Sequence, residues 1–318
     1  LPNHSGKSIA PVYKALFGME TLREDWNSTV ACDMHLDQDS FLLKRFEKKG
    51  YKTLYADDWS DYSLFSYPDH GCKGFKTPPM THYTKPFFLY YDTSEQNTHY
   101  MAEDRCLEPH NRMFEYYGKF LKAYPKSPKF TVLWMADIAH NNPDNLFHVD
   151  EQFLEYFTEF KEELDKSYAF FLSDHGPRFG YIRDTDAGYR EYNNPMLYIS
   201  VPKHLRDRVN PILHDNSKML FTAFDVHATF IDILNDPQHL NDKGPQGLRG
   251  NSIFRPLPPG ERSCRTLPIP PEYCMCDIKK NDIKSQRYHV IYPGKEQKIL
   301  NNLLLNFFIM SLINYFYL

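Results

Sequence analysis

Several absences in this sequence remove function classes at once. No run of Lys and Arg marks out a basic face, and 37 basic residues stand against 41 acidic ones for a net charge of −4. A reader of the phosphate backbone needs the opposite balance, so nucleic acid is not an expected partner. None of the six cysteines forms a Cys-x-x-Cys pair, the spacing on which structural zinc sites usually rest. The opening LPNHSGKSIAP has neither a start methionine nor an apolar leader, and reads as a chain lacking upstream residues. No internal repeat is present. The most apolar stretch, ILNNLLLNFFIMSLINYFYL, is interrupted by Asn301, Asn302, Asn306 and Asn314 and has no basic flank. It suits a membrane anchor less well than a buried terminal helix or residues outside the fold.

What remains is the composition of a folded protein. Hydrophobic residues make up 42% and charged residues 25%, too apolar a mixture for a disordered chain. A length of 318 residues suits one large α/β domain with a single sheet. Three of the cysteines, Cys264, Cys274 and Cys276, crowd into the proline-rich SCRTLPIPPEYCMC, where little periodic pattern exists to hold the chain. A disulfide is the expected tie. The sequons Asn3-His4-Ser5 and Asn27-Ser28-Thr29 agree with a secretory or extracellular location, possible membrane association included, and weigh little alone.

Apolar, strand-like runs alternate with helical patterns. GYKTLYADD, KFTVLWMAD, SYAFFLSD and NPMLYISVP read as strands, by their β-branched and aromatic content and their length. Between the second and third, VDEQFLEYFTEFKEELDK sets Phe153, Phe157, Phe160 and Leu164 at helical spacing, which predicts a strand–helix–strand unit with parallel neighbours. KMLFTAFDVHATFIDILN predicts a second helix layered on the same sheet. The expected division is an α/β core over residues 1–235, a loop-rich Cys/Pro appendage over 236–298 and an apolar tail over 299–318 of unassigned role.

In open parallel sheets ligands gather beyond the carboxyl ends of the strands, and these strands end in polar residues. The first ends in Asp57-Asp58, the second leads to Asp137 and His140, and the third ends in Asp174-His175. Carboxylate oxygen combined with neutral imidazole nitrogen suits zinc or manganese, whereas calcium takes oxygen ligands. Each piece also has a plain structural reading. Asp-His-Gly is common in turns, Asp57-Asp58 can cap a helix, and Asp137 with His140 can be a hydrogen-bonded turn.

FFLSDHGPRFG, preceded by WMADIAHNN and followed by GYREYNNPMLYISVP, resembles the alkaline-phosphatase/sulfatase superfamily. Within it the chain is most similar to the animal domain-of-unknown-function family 229, a similarity that extends to GYKTLYADDW, GFKTPPMTHYTKPF, FDVHATFIDIL and RSCRTLPIPPEYCMC. The resemblance implies a three-layer α/β/α sandwich with a mostly parallel central sheet, lacking its first strand at the N-terminus. It implies Asp174 and His175 as ligands of a divalent metal, zinc or manganese with calcium or magnesium as alternatives, and Asp137 as a further ligand. Ser8, in KSIAPVYKALFGM, falls at the nucleophile position, although Pro11 comes one place late. His140 matches a histidine that contacts the transferred group, and Arg178 would help to bind an anion. Asp225 and His227 lie in a shared helical motif read as structural support ahead of ligation.

The implied activity is hydrolysis or transfer of phosphate esters, with sulfate esters the less favoured substrate, through a metal-activated serine. The segment around Ser8 lacks the proline and arginine positions required for formylglycine chemistry. The substrate would be an anionic ester, glycan- or lipid-linked among the options. The alternative is a secreted or membrane-associated pseudoenzyme that keeps the fold for binding.

Overall fold

The computed structural model describes residues 41–59, 75–92, 94–100, 108–176, 185–238, 244–267 and 307–313, with residues 35, 37, 240, 269, 273 and 274. Among the described residues the sheet has six strands, numbered β1 Lys52–Asp57, β2 His82–Tyr83, β3 Lys129–Met135, β4 Ser167–Ser173, β5 Leu197–Ser200 and β6 Phe307–Ile313. Their spatial order is β2-β1-β3-β6-β4-β5. β2, β1 and β3 are parallel neighbours, whereas β6 runs antiparallel to both β3 and β4, and β5 runs antiparallel to β4. Because β3 and β4 are each antiparallel to the same strand, they point the same way as each other.

All four expected strands form. β3 is buried at every one of its seven residues, as a strand covered on both faces must be. Its alternate side chains divide between two cores. Phe130, Val132 and Trp134 join one cluster with Tyr55, Tyr168 and Phe170, while Leu133 and Met135 join the other with Leu54 and Ala56. Helices cover both faces. Leu42, Leu43 and Phe46 of α1 (Leu42–Lys48) lie on the first face together with Val226, Phe230 and Ile231 of the helix Ala223–Asn235. Met113, Phe114 and Tyr117 of Pro109–Ala123 lie on the second, with Leu146 and Val149 of Leu146–Glu159. The architecture is therefore an α/β/α sandwich.

Local chemistry sets where these helices begin. Pro109 occupies the first turn after Glu108, where its missing N–H costs nothing and its φ is already helical. Thr222 and Asp225 form a capping box at Ala223–Asn235, satisfying backbone donors that would otherwise be orphaned. The expected crossover helix forms over Leu146–Glu159, then breaks at Phe160 and restarts as Lys161–Leu164.

Two expectations are corrected. The strands flanking the crossover are parallel but not adjacent, because β6 is inserted between them and pairs along seven residues with each. The described part of the apolar tail is not helical: Phe307–Ile313, bounded in sequence by Asn306 and Asn314, is a central strand. Its two phenylalanines and two isoleucines favour the pleated conformation, while the flanking asparagines disfavour a continuous helix. No helix among the described residues is long and apolar enough to cross a membrane.

Residues 244–267 contain no helix or strand and are fastened to Ala223–Asn235 by two ion pairs. Arg255 makes a bidentate pair with Asp232 at 2.7 and 2.8 Å. Arg262 reaches Asp225 at 2.7 Å, with both side chains buried. Ile253 and Phe254 enter the first core, and Cys264 is bonded to Cys274. The remaining cysteine of that stretch, Cys276, lies outside the described residues.

Phe230→Ala removes a fully buried ring that packs on Phe130 and Phe170, and is expected to cost about 3–5 kcal/mol in urea unfolding. Leu154→Ala, at a residue 63% exposed, should change stability by less than about 0.5 kcal/mol. Arg262→Ala would leave Asp225 buried without its cation and should cost about 3–5 kcal/mol. A loss within 0.5 kcal/mol of wild type at Phe230 or Arg262 would contradict the packing described.

Candidate functional site

The sheet register brings the polar strand ends to one edge. Asp57 is level with Trp134, and Met135 and Ser173 are both level with Phe307. Asp57-Asp58, Ala136-Asp137 and Asp174-His175 therefore leave the sheet at the same side. They are not equally close. β6 stands between β3 and β4, so the ends of those strands are about 10 Å apart at the usual interstrand spacing.

At the end of β4, Ser173 fixes the neighbouring chain by accepting from the Met196 N–H at 2.8 Å. Asp174 and His175 follow, both buried. Asp174 Oδ1 accepts the His175 backbone N–H at 2.9 Å, which turns the chain sharply out of the sheet. Gly176 completes the turn against Glu191–Tyr192, where a Cβ would sit 2.2 Å from the Glu191 carbonyl oxygen. Only glycine fits there.

That turn also orients the imidazole. His175 Nδ1 is 2.6 Å from the Gly176 carbonyl oxygen, an acceptor only, so Nδ1 donates to it and Nε2 is the ring nitrogen turned toward Asp174. Nε2 is 3.3 Å from Asp174 Oδ2. Two ligand atoms each about 2.0–2.2 Å from a zinc ion span a separation of this size. The pair thus fits two positions of a divalent metal. Among the described residues no group of three or more His, Cys, Asp or Glu side chains converges in a way that could hold an ion.

At the end of β1 the two aspartates have different tasks. Asp57 closes a local turn, accepting the Trp59 N–H at 2.9 Å and the Tyr55 hydroxyl at 3.0 Å. Asp58 reaches across to the β3 end, where Oδ1 accepts the N–H groups of Ala136 and Asp137 at 2.7 and 3.1 Å. These are the donors at the start of the short helix Asp137–His140, so Asp58 acts as a cap supplied from another strand. Burial drives its pKa well above the ordinary carboxylate value, with the charges of Asp137 and Asp57 adding to the rise and the two N–H bonds opposing it. Its second oxygen, Oδ2, has no hydrogen-bond partner among the described residues.

Of the residues singled out from the sequence, Asp174 and His175 are brought together. Asp137 is exposed on the turn capped by Asp58. His140 is half-buried, its ring 4.4 Å from that of Trp59 and its Nδ1 2.9 Å from Asn141 Oδ1. Ser8 and Arg178 lie outside the described residues. Asp225 belongs to the capping box and the Arg262 ion pair, and so supports structure at that helix. Trp59 was legible in GYKTLYADDW as part of a motif, but nothing in the sequence assigned it a contact with His140. Nor did any signal mark Glu191, whose buried Oε2 has no hydrogen-bond partner among the described residues and whose pKa is raised by desolvation.

The raised pKa of Asp58 has a definite sign. Between the unfolded carboxylate value, about 3.9, and its higher folded value, the native state binds the extra proton. Stability from this group is complete below about pH 4 and falls as pH rises through that interval. Asp58→Asn keeps Oδ1 and cannot ionise, so its stability relative to wild type should improve steadily from pH 4 to pH 8 in chemical denaturation. A constant difference across that range would show that Asp58 is not buried against the β3 turn.

No curated protein and no solved structure matches the chain. A family model described as "Protein of unknown function (DUF229)" matches residues 4–305, a span holding every strand end just described. The chain therefore belongs to the DUF229 family.

Proposed function

We propose that this chain is a metal-dependent hydrolase or transferase of phosphate esters, with sulfate esters less favoured, acting through a serine nucleophile. The observation that carries the proposal is the Asp174–His175 pair, with Oδ2 and Nε2 3.3 Å apart and Nδ1 committed to a carbonyl. The resemblance of the surrounding motifs to the alkaline-phosphatase/sulfatase superfamily supplies the reaction class. A zinc or manganese ion held by Asp174 and His175 would provide Lewis acidity toward an anionic ester.

The chain's own groups have separable tasks. Ser8, its hydroxyl proton passed to a nearby base, would attack the phosphorus and form a phosphoserine ester as the P–O bond to the alcohol breaks and the alcohol leaves with a proton. Water, or an acceptor alcohol in a transferase, would then displace the phosphate and regenerate the Ser8 hydroxyl. His140, held against Trp59, would donate to a non-bridging oxygen as negative charge accumulates there. Arg178, two residues after Gly176, would add a cation for the same group. Asp137 is the remaining candidate ligand. The burial of Asp174 and His175 keeps solvent from competing for their ligand atoms, which strengthens charged contacts.

A second reading, a binding module without turnover, is favoured by the displaced Pro11 beside Ser8 and by the exposure of Asp137. One experiment separates the two. Zinc and manganese content is measured by mass spectrometry after dialysis, and turnover is followed with a chromogenic aryl phosphate. The hydrolase predicts near-stoichiometric metal, an affinity lowered more than about 100-fold by Asp174→Asn, and turnover lost in Ser8→Ala with metal retained. Wild type without bound metal, or with metal and no turnover at any pH from 5 to 9, would establish the binding module instead.

A further inference from the structure

A cavity of about 320 Å³ opens between the helix Arg206–Asn216 and the chain that follows the helix Ala223–Asn235. Val209, Ile212, Leu240 and Phe254 line it together with Arg208 and Arg255. It sits near the start of β4, at the opposite edge of the sheet from Asp174. Tyr168, the second residue of that strand, stacks on Phe254 with ring centres 5.5 Å apart and donates to the Pro237 carbonyl at 2.7 Å. The cavity is therefore separate from the polar strand ends, and neither the metal nor the hydrolase reading bears on it.

Local structure explains how its walls are made. Arg208, Val209 and Ile212 share one face of their helix, because positions i and i+4 lie one above the other. Leu240 adopts a φ of 45°, with its N–H returned to the Asp236 carbonyl at 3.1 Å. A leucine in the left-handed region is strained, and here the strained turn places a buried side chain in the wall. Val209 and Phe254 are buried as well, whereas Arg208 is exposed. The lining is thus apolar inside and cationic at the mouth. Arg255 gives Nε and Nη2 to Asp232 at 2.7 and 2.8 Å. A guanidinium has five N–H donors and does not deprotonate in proteins, so Asp232 fixes this group in place without exhausting it.

We infer that the cavity binds a small carboxylate amphiphile, with its apolar body on Val209, Ile212, Leu240 and Phe254 and its carboxylate at Arg208 and Arg255. The volume falls at the lower end of the range for small-molecule sites, about 300–1,000 Å³. It is about twice the ~150 Å³ that admits benzene, which leaves room for roughly a dozen non-hydrogen atoms. An uncharged hydrocarbon would bury the same surface and draw nothing from the guanidinium groups. An ammonium head would be repelled by them. A doubly charged phosphate would set its second charge against Asp232. A single carboxylate matches the guanidinium donors and carries one charge.

The full chain is titrated calorimetrically at pH 7 with octanoate, 1-octanol, octylammonium and acetate. Octanoate should bind one per chain, octanol at least about 10-fold more weakly, and acetate and octylammonium without detectable heat. Arg208→Gln, at an exposed residue, should weaken octanoate about 10-fold to 100-fold and leave octanol unchanged. Ile212→Phe, which adds atoms to the cavity lining, should weaken both ligands while the urea midpoint stays near wild type. Should that variant fail to fold, Arg208→Gln carries the test alone. Equal affinity for octanoate and octanol would show that the arginines take no part and would overturn the inference. So would an absence of octanoate binding, or octanoate binding that Arg208→Gln leaves unchanged.

Discussion

β3 is buried along its whole length, and much of the molecule follows from that constraint. A strand with no exposed face must give alternate side chains to two separate cores, and each core then needs helices to close it. Phe130, Val132 and Trp134 draw in the helices Leu42–Lys48 and Ala223–Asn235, while Leu133 and Met135 draw in Pro109–Ala123 and Leu146–Glu159. Because neither face is open to water, polar groups can emerge only where the strand ends. The chemistry is confined to an edge by the packing, before any question of ligand arises.

At that edge the residues with functional character are held by ordinary backbone needs. Asp58 satisfies the N–H groups of the Asp137–His140 turn, Asp174 satisfies the N–H of His175, and the Gly176 carbonyl holds the imidazole. Capping thus closes the chain locally at both strand ends and fixes the two buried carboxylates there. The same economy is seen at the other end of the sequence, where Asp225 joins a capping box, an ion pair and the Asn251 N–H. In that case the carboxylate is fully occupied and its part is structural.

The strands, the crossover helix and the Asp-His-Gly turn were legible because each is a local pattern. Period and composition mark β3, and a run of apolar residues ending in Ser173-Asp174-His175 marks β4. The insertion of Phe307–Ile313 between them was not legible. Its pairing partners lie more than 130 positions away in the chain, and an apolar seven-residue segment has similar local energy as a strand or as part of a helix. The separate tasks of Asp57 and Asp58 were hidden for a related reason. Adjacent and chemically identical, they differ only in which backbone each can reach.

The sequence by itself determined four of the strands, the crossover helix, the helix Ala223–Asn235 and the identity of the polar residues that close β1, β3 and β4, since these depend on neighbours a few positions apart. Tertiary structure alone decided which strand lies between β3 and β4, how far apart the two strand ends stand, and that Asp58 and Trp59 meet the His140 turn. Those are outcomes of hydrogen-bond pairing and burial between remote segments, and no local propensity encodes them.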